Sequence, residues 1–217
     1  TMQAATWNTD LVRKVGQAMG DELLAYDGDI LLAPSLNIHR NPLNGRNFEY
    51  YSEDPMLSGY MAAAATQGVQ SRGVGATIKH FTANNQQTMR MFNDSRMTQR
   101  TLREIYLRGF EVAIREGHPW AVMSSYNRIN GLHTQFSRPL LTDLLRGEWH
   151  FKGIVMTDWV ESRNTPVQVH AGNDLLMGGT PQQVQEILDN VKSGKLSMTD
   201  VNTNVARVLR YIMRTPH

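Results

Sequence analysis

The chain has no cysteine, so disulfide bonds and thiol chemistry are excluded. That absence says little about compartment, because many secreted bacterial proteins also lack cysteine. It also has no excess of one charge. Its 22 basic and 20 acidic residues interleave, and no basic block is long enough to neutralise a run of phosphates, so nucleic acid is not an expected partner. No apolar run approaches the roughly 18 residues of a membrane span. The first residues lack the basic start and apolar core of a signal peptide, and a soluble chain with no membrane partner is expected. There is no repeat of fixed period, no low-complexity tract and no long linker. With 41% apolar content, the 217 residues are expected to bury one core as a single domain.

What is present is an alternation of short apolar runs with segments of helical spacing. Five runs are expected as buried strands: 30–33, 76–80, 121–125, 153–157 and 174–177. Their continuous apolarity suits parallel strands covered on both faces. Leu11, Val15, Met19 and Leu23 predict one helix; Leu102, Ile105, Tyr106, Phe110, Ala113 and Ile114 predict another, opened by a capping box of Thr101 and Glu104. Ser52 ahead of Pro55, and Thr180 with Pro181 and a distal Gly194, are further helix signals. Val201, Val205, Val208, Leu209 and Ile212 mark a last helix. Strands separated by helices imply right-handed βαβ units, either an open doubly wound sheet or a (β/α)8 barrel, which five strands would leave incomplete.

The loops after these strands concentrate polar residues. The first is followed by NIHRNPLNGRNFEYYSEDP, the second ends in Lys79 and His80 and continues TANNQQTMR, the third leads into SYNRING, and the fourth into Asp158 and Trp159. In parallel α/β folds the carboxyl ends of the strands are where sites are built. Each residue has an ordinary alternative. Asp158, taken alone, reads first as an N-cap for the next helix, Arg46 as a partner of Glu49 or Glu53, Lys79 as a paired structural cation, and Tyr126 and Trp159 as core aromatics. Together, basic donors, a carboxylate and aromatic rings on one rim suit a polyhydroxylated ligand, whose hydroxyls and C–H faces they satisfy respectively.

The segments GRNFEYYSEDP, GVGATIKHFTANNQQTMR, LREIYLRGFEVAIREGHPWAVMSSYNRING, LLTDLLRGEW and GIVMTDW resemble, in order and spacing, the N-terminal domain of glycoside hydrolase family 3, nearest its bacterial β-glucosidase and β-xylosidase branch. The resemblance implies a (β/α)8 TIM-barrel-like fold, retaining hydrolysis of β-linked sugars from the non-reducing end, and no metal or organic cofactor. By motif it makes Asp158 the nucleophile and places Arg46, Lys79, His80, Arg90, Tyr126 and Trp159 around the sugar. The KHFTANN stretch lacks the second histidine of the N-acetylglucosaminidase members, which disfavours that branch. WVESRNTP replaces a commonly Gly-containing stretch after the nucleophile. The resemblance further implies that residues 1–217 are one barrel domain without the family's first strand and without the C-terminal α/β sandwich. The acid/base Glu would then come from those other segments or a second chain. A periplasmic or secreted location is the expectation for this branch. Two other classes remain open: a truncated or engineered barrel that needs a partner polypeptide for activity, and an unrelated barrel lyase with Lys79 as a Schiff base.

Overall fold

The structure, a computed structural model, describes residues 1–159 and 164–216. In chain order the principal elements are α1 (Thr9–Ala25), β1 (Ile30–Leu31), α2 (Pro55–Gln70), β2 (Gly75–Phe81), β3 (Asp94–Ser95), α3 (Gln99–Thr101) and α4 (Arg108–Gly117). They continue as β4 (Ala121–Ser124), β5 (Arg128–Ile129), β6 (Leu132–His133), β7 (Ile154–Thr157), α5 (Thr165–Ala171), α6 (Pro181–Lys192) and α7 (Met198–Ile212). π-helical turns at Leu102–Tyr106 and Pro139–Glu148 lead into α4 and β7.

The main sheet has the order β1-β2-β4-β7, with every pairing parallel. β2, β4 and β7 are buried apolar runs, as their composition predicts, β1 at the edge is half-buried, and α2 and α4 pack beside one another over the sheet. Phe81, at the end of β2, meets Phe110 of α4 and Trp149 edge-on, with ring centroids 5.1 and 6.0 Å apart. This cluster ties the carboxyl end of β2 to the helical layer.

The expected strand over 174–177 is reduced to a single bridge, Leu175 to Met156. The cause is Asp174. Its fully buried carboxylate accepts from the Val155 N–H at 2.8 Å and pairs with both Arg146 and Arg207, which turns the chain behind β7. Three residues later the Met177 N–H donates to the Thr157 hydroxyl, a side-chain bond in place of a ladder bond.

The helices also differ in detail from their sequence signals. In α1 the packed face is Val12, Gly16 and Gly20, one position round from the Leu11/Met19 stripe, which is exposed. Small residues decide this: a Cβ on Gly16 would stand 2.5 Å from the Ala65 carbonyl, and one on Gly68 would stand 2.2 Å from that of Arg13. The backbones of α1 and α2 therefore touch, and the larger apolar side chains are displaced from the contact. The cap before α3 is Thr98, whose hydroxyl accepts from the Thr101 N–H, and Glu104 pairs with Arg100 instead of closing a capping box. Asp54, not Ser52, caps α2. The helix signalled by Thr180 and Pro181 is formed, and Gln183 closes a capping box with Thr180 that the sequence reading did not include. In α7 Val205, Leu209 and Ile212 face outward, while Asn204 and Tyr211 are buried; Asn204 Nδ2 donates to the Val169 and Asn173 carbonyls.

A second, three-stranded sheet, β3-β5-β6, has no counterpart in the apolar runs. β5 and β6 form a hairpin around Asn130 and Gly131, both with positive φ, the geometry an Asn-Gly turn provides. The Gly131 N–H donates to Asp94 Oδ1 at 2.8 Å, and β3 pairs in parallel with β5. This small sheet closes the loops that lie between the main strands and the site.

Candidate active site

Asp158 follows β7 directly. Its backbone N–H donates to the Ser124 carbonyl at 3.0 Å, extending the β4–β7 ladder by one residue and fixing where the side chain starts. The carboxylate is buried. Oδ1 accepts the Trp159 N–H at 2.9 Å, and Oδ2 has no hydrogen-bond partner among the described residues. The N-cap alternative does not hold: the residue at the N-cap of α5 is Asn164.

Around that carboxylate the structure gathers the other candidates. His80, 1% exposed, has Nε2 3.7 Å from Asp158 Oδ2. Asn37 holds it there: Asn37 Nδ2 donates to the His80 carbonyl at 2.9 Å, and the His80 backbone N–H donates to Asn37 Oδ1 at 2.8 Å. Tyr50 meets the His80 ring edge-on, with its own hydroxyl donating to the Asn84 carbonyl. The Tyr126 hydroxyl lies close enough to Asp158 to interact with its charge, and the Arg90 guanidinium lies over the Tyr126 ring at 4.7 Å. Arg90 precedes β3 and Tyr126 precedes β5, so the β3–β5 pairing sets these two side chains face to face. Arg46, in the loop before a 3-10 turn at Asn47–Glu49, is bonded to Glu49; Lys79, next to last but one in β2, reaches the same carboxylate at 3.9 Å. Trp159 is 59% exposed, at the rim. Residues 160–163 of the WVESRNTP stretch lie outside the described residues.

The charges are arranged in opposition. Burial pushes the Asp158 carboxyl above the usual carboxylate range, and the Trp159 N–H, the Tyr126 hydroxyl and the charges of Arg46 and Arg90 pull against it. Burial, with Arg46, Lys79 and Arg90 nearby, holds the His80 imidazole well below the usual histidine range, so at neutral pH it is an uncharged ring with one N–H to give. Burial, followed by the Asp158 charge, raises the Tyr126 phenol to about 12, which keeps it a donor. Lys79 is lowered by burial, with Glu49 and Asp158 opposing and Arg46 adding to the shift. The assembly is one buried carboxylate oxygen facing a set of donors, an arrangement that can hold a hydroxyl-rich ring against a nucleophile.

Against known proteins, residues 1–211 match the Glycosyl hydrolase family 3 N terminal domain. The chain belongs to glycosyl hydrolase family 3. The chain superimposes on the structure of β-glucosidase 3B from Thermotoga neapolitana in complex with glucose with a TM-score of 0.96. The two are 52% identical over 99% of this chain and 31% of that one. β-Glucosidase B of Emericella nidulans is 45% identical over 99% of the chain and 26% of its own length. An exo-α-(1→6)-L-arabinopyranosidase of Bifidobacterium longum is 49% identical over 80% of the chain and 23% of its own length. The chain thus spans about a quarter to a third of these family 3 relatives, and its open parallel sheet is part of a TIM-barrel-like fold.

Proposed function

We propose that this family 3 chain carries the sugar-binding half of a retaining β-glycosidase, β-glucosidase-like, with Asp158 as the nucleophile. The observation that carries the reading is the state of Asp158 Oδ2: a buried carboxylate oxygen with no hydrogen bond among the described residues, opposite a neutral histidine and within the field of Arg46 and Arg90. Oδ2 attacks the anomeric carbon as the glycosidic bond breaks, giving a covalent glycosyl-enzyme that water then opens. Arg46, Lys79, His80 and Arg90 donate to the sugar hydroxyls, the Asp158 carboxylate faces the positive charge that builds on the ring, Tyr126 steadies Asp158, and Trp159 borders the sugar.

Retention needs a second carboxyl about 5–5.5 Å from the nucleophile, protonated when the bond breaks. Glu49 is in the wrong state for that role. Burial pushes it up, but bonds from Arg46 and Ser35 and the charges of Arg46 and Lys79 outweigh burial and hold its carboxyl below the usual range. We assign the acid to the rest of the full-length protein, in keeping with relatives three to four times as long. The relative named as an arabinopyranosidase keeps the sugar itself open within the same barrel sequence.

The test follows the anomer first released from dinitrophenyl β-glucoside by NMR, in this chain and in the full-length gene product, alongside xyloside and α-L-arabinopyranoside. First release of β-glucose supports the reading. First release of α-glucose means inversion, and rules out a glycosyl-enzyme on Asp158.

A further inference from the structure

One carboxylate beside the site is neither nucleophile nor acid, yet it touches more of the site than any other acidic group described. Glu49 closes the 3-10 turn that follows Arg46, and about a fifth of its side chain is exposed. Three groups from three places converge on it. Oε1 accepts from Arg46 Nε; Oε2 accepts from the Ser35 hydroxyl at 2.6 Å and faces Lys79 Nζ at 3.9 Å. Ser35 is buried just beyond β1 and bridges Lys79 through the backbone, so Glu49 spans the carboxyl ends of two neighbouring strands.

We propose, building on the glycosidase reading, that Glu49 is the positioning residue for the basic half of the site: it aims the Arg46 guanidinium and holds the Lys79 ammonium in place and in charge. The geometry requires such a group. Arg46 and Lys79 are like charges brought to one side of Asp158, and Lys79 is largely out of water, which disfavours its ammonium form. The charged or ionisable groups facing Lys79 are Glu49 on the 3-10 turn, Arg46 on the loop before it, Asp158 at the end of β7 and its neighbour His80. Glu49 and Asp158 favour its charge. Asp158 loses its own charge when it forms the glycosyl-enzyme, leaving Glu49 as the counter-charge that persists through the reaction. Ser35 takes part by occupying Oε2 from the strand side, so that the carboxylate cannot rotate away.

The sequence has five lysines, which makes Lys79 directly observable. The experiment follows the side-chain signals of ¹³C-labelled lysine through a pH titration in the wild type, Glu49→Gln, Glu49→Asp and Ser35→Ala, with Lys79→Arg to assign the Lys79 signal. The Lys79 midpoint is expected to fall in Glu49→Gln by about one pH unit, to stay near the wild-type value in Glu49→Asp, and to fall slightly in Ser35→Ala, with the other four lysines unmoved. On dinitrophenyl β-glucoside, Glu49→Gln is expected to lose roughly tenfold in kcat/KM at pH 6 and several times more at pH 9, because the alkaline limb follows Lys79. A Lys79 midpoint unchanged in both Glu49→Gln and Ser35→Ala overturns the proposal, as does a loss of activity of the same factor at every pH. If the midpoint moves as expected while wild type hydrolyses no glycoside, Glu49 keeps its hold on Lys79 and the glycosidase reading is what fails.

Discussion

At the scale of single residues the site is a compromise between stability and chemistry. Asp158 is buried, with one oxygen unbonded among the described residues, and its folded-state pKa lies above that of an exposed carboxylate. A group raised on folding contributes stability at low pH that is lost as pH rises through its folded value. Asp158→Asn is therefore expected to abolish turnover and yet to raise stability at pH 7 by on the order of 1 kcal/mol, read by urea denaturation. Lower stability in the variant would mean that the carboxylate is a structural anchor. His80 works in the opposite direction. Its folded pKa is depressed by burial and by Arg46, Lys79 and Arg90, so stability present above about pH 6.5 is lost as pH falls from there toward the folded value. Replacing it by Asn should flatten that acid slope by up to about 1.4 kcal/mol per pH unit, checked by denaturation at pH 7.5 and 5.5. An unchanged slope would place a protonated histidine in the fold.

At the scale of elements, what was legible was what periodicity and capping encode. Four of five apolar runs became paired parallel strands, and Thr180 with Pro181 opens α6 as read. What was not legible depended on neighbours distant in sequence. The run at 174–177 is as apolar as its fellows but begins with the carboxylate that Arg146 and Arg207 capture, and nothing local announces that capture. The packed face of α1 is set by glycines, which carry no hydrophobic signal. Asn37 and Glu49 are ordinary loop residues by spacing and become supports of the site only because β1 and β2 are adjacent. The Asn130-Gly131 dipeptide was a readable hairpin signal inside SYNRING. Since that hairpin seats Tyr126 beneath Arg90, disturbing it should reach the chemistry. Gly131 has φ +93° with open space around it. Gly131→Ala is therefore expected to cost about 1 kcal/mol of stability from backbone strain alone. It should also weaken kcat/KM severalfold, whereas Gly147→Ala, where a Cβ would meet only the Thr142 carbonyl at 3.7 Å, should do neither.

At the scale of the whole molecule, four parallel strands leave Ile30–Leu31 as one edge and a single bridge at Leu175 as the other. Open parallel edges, together with the outward apolar residues of α7, favour association with further chain. Without a general acid, a poor leaving group departs about 10² to 10⁴-fold more slowly. This chain alone is thus expected to act on dinitrophenyl β-glucoside but not efficiently on cellobiose, and adding the rest of the gene product should restore the second activity. Rapid cellobiose hydrolysis by the 217 residues would require an acid among them.

The central claim is that Asp158 bonds to sugar, and the most direct measurement is covalent. Dinitrophenyl 2-deoxy-2-fluoro-β-glucoside slows both steps but brings its own good leaving group, so labelling does not wait on an acid. Tryptic cleavage after Lys152 and Arg163 isolates Asp158 in the peptide GIVMTDWVESR. Mass spectrometry is expected to find one fluoroglucosyl group on that peptide, located by fragmentation at Asp158 and absent in Asp158→Asn. A label on Glu161, Glu49 or any other carboxylate, or no label while glucose still protects the site from denaturation, would contradict the account.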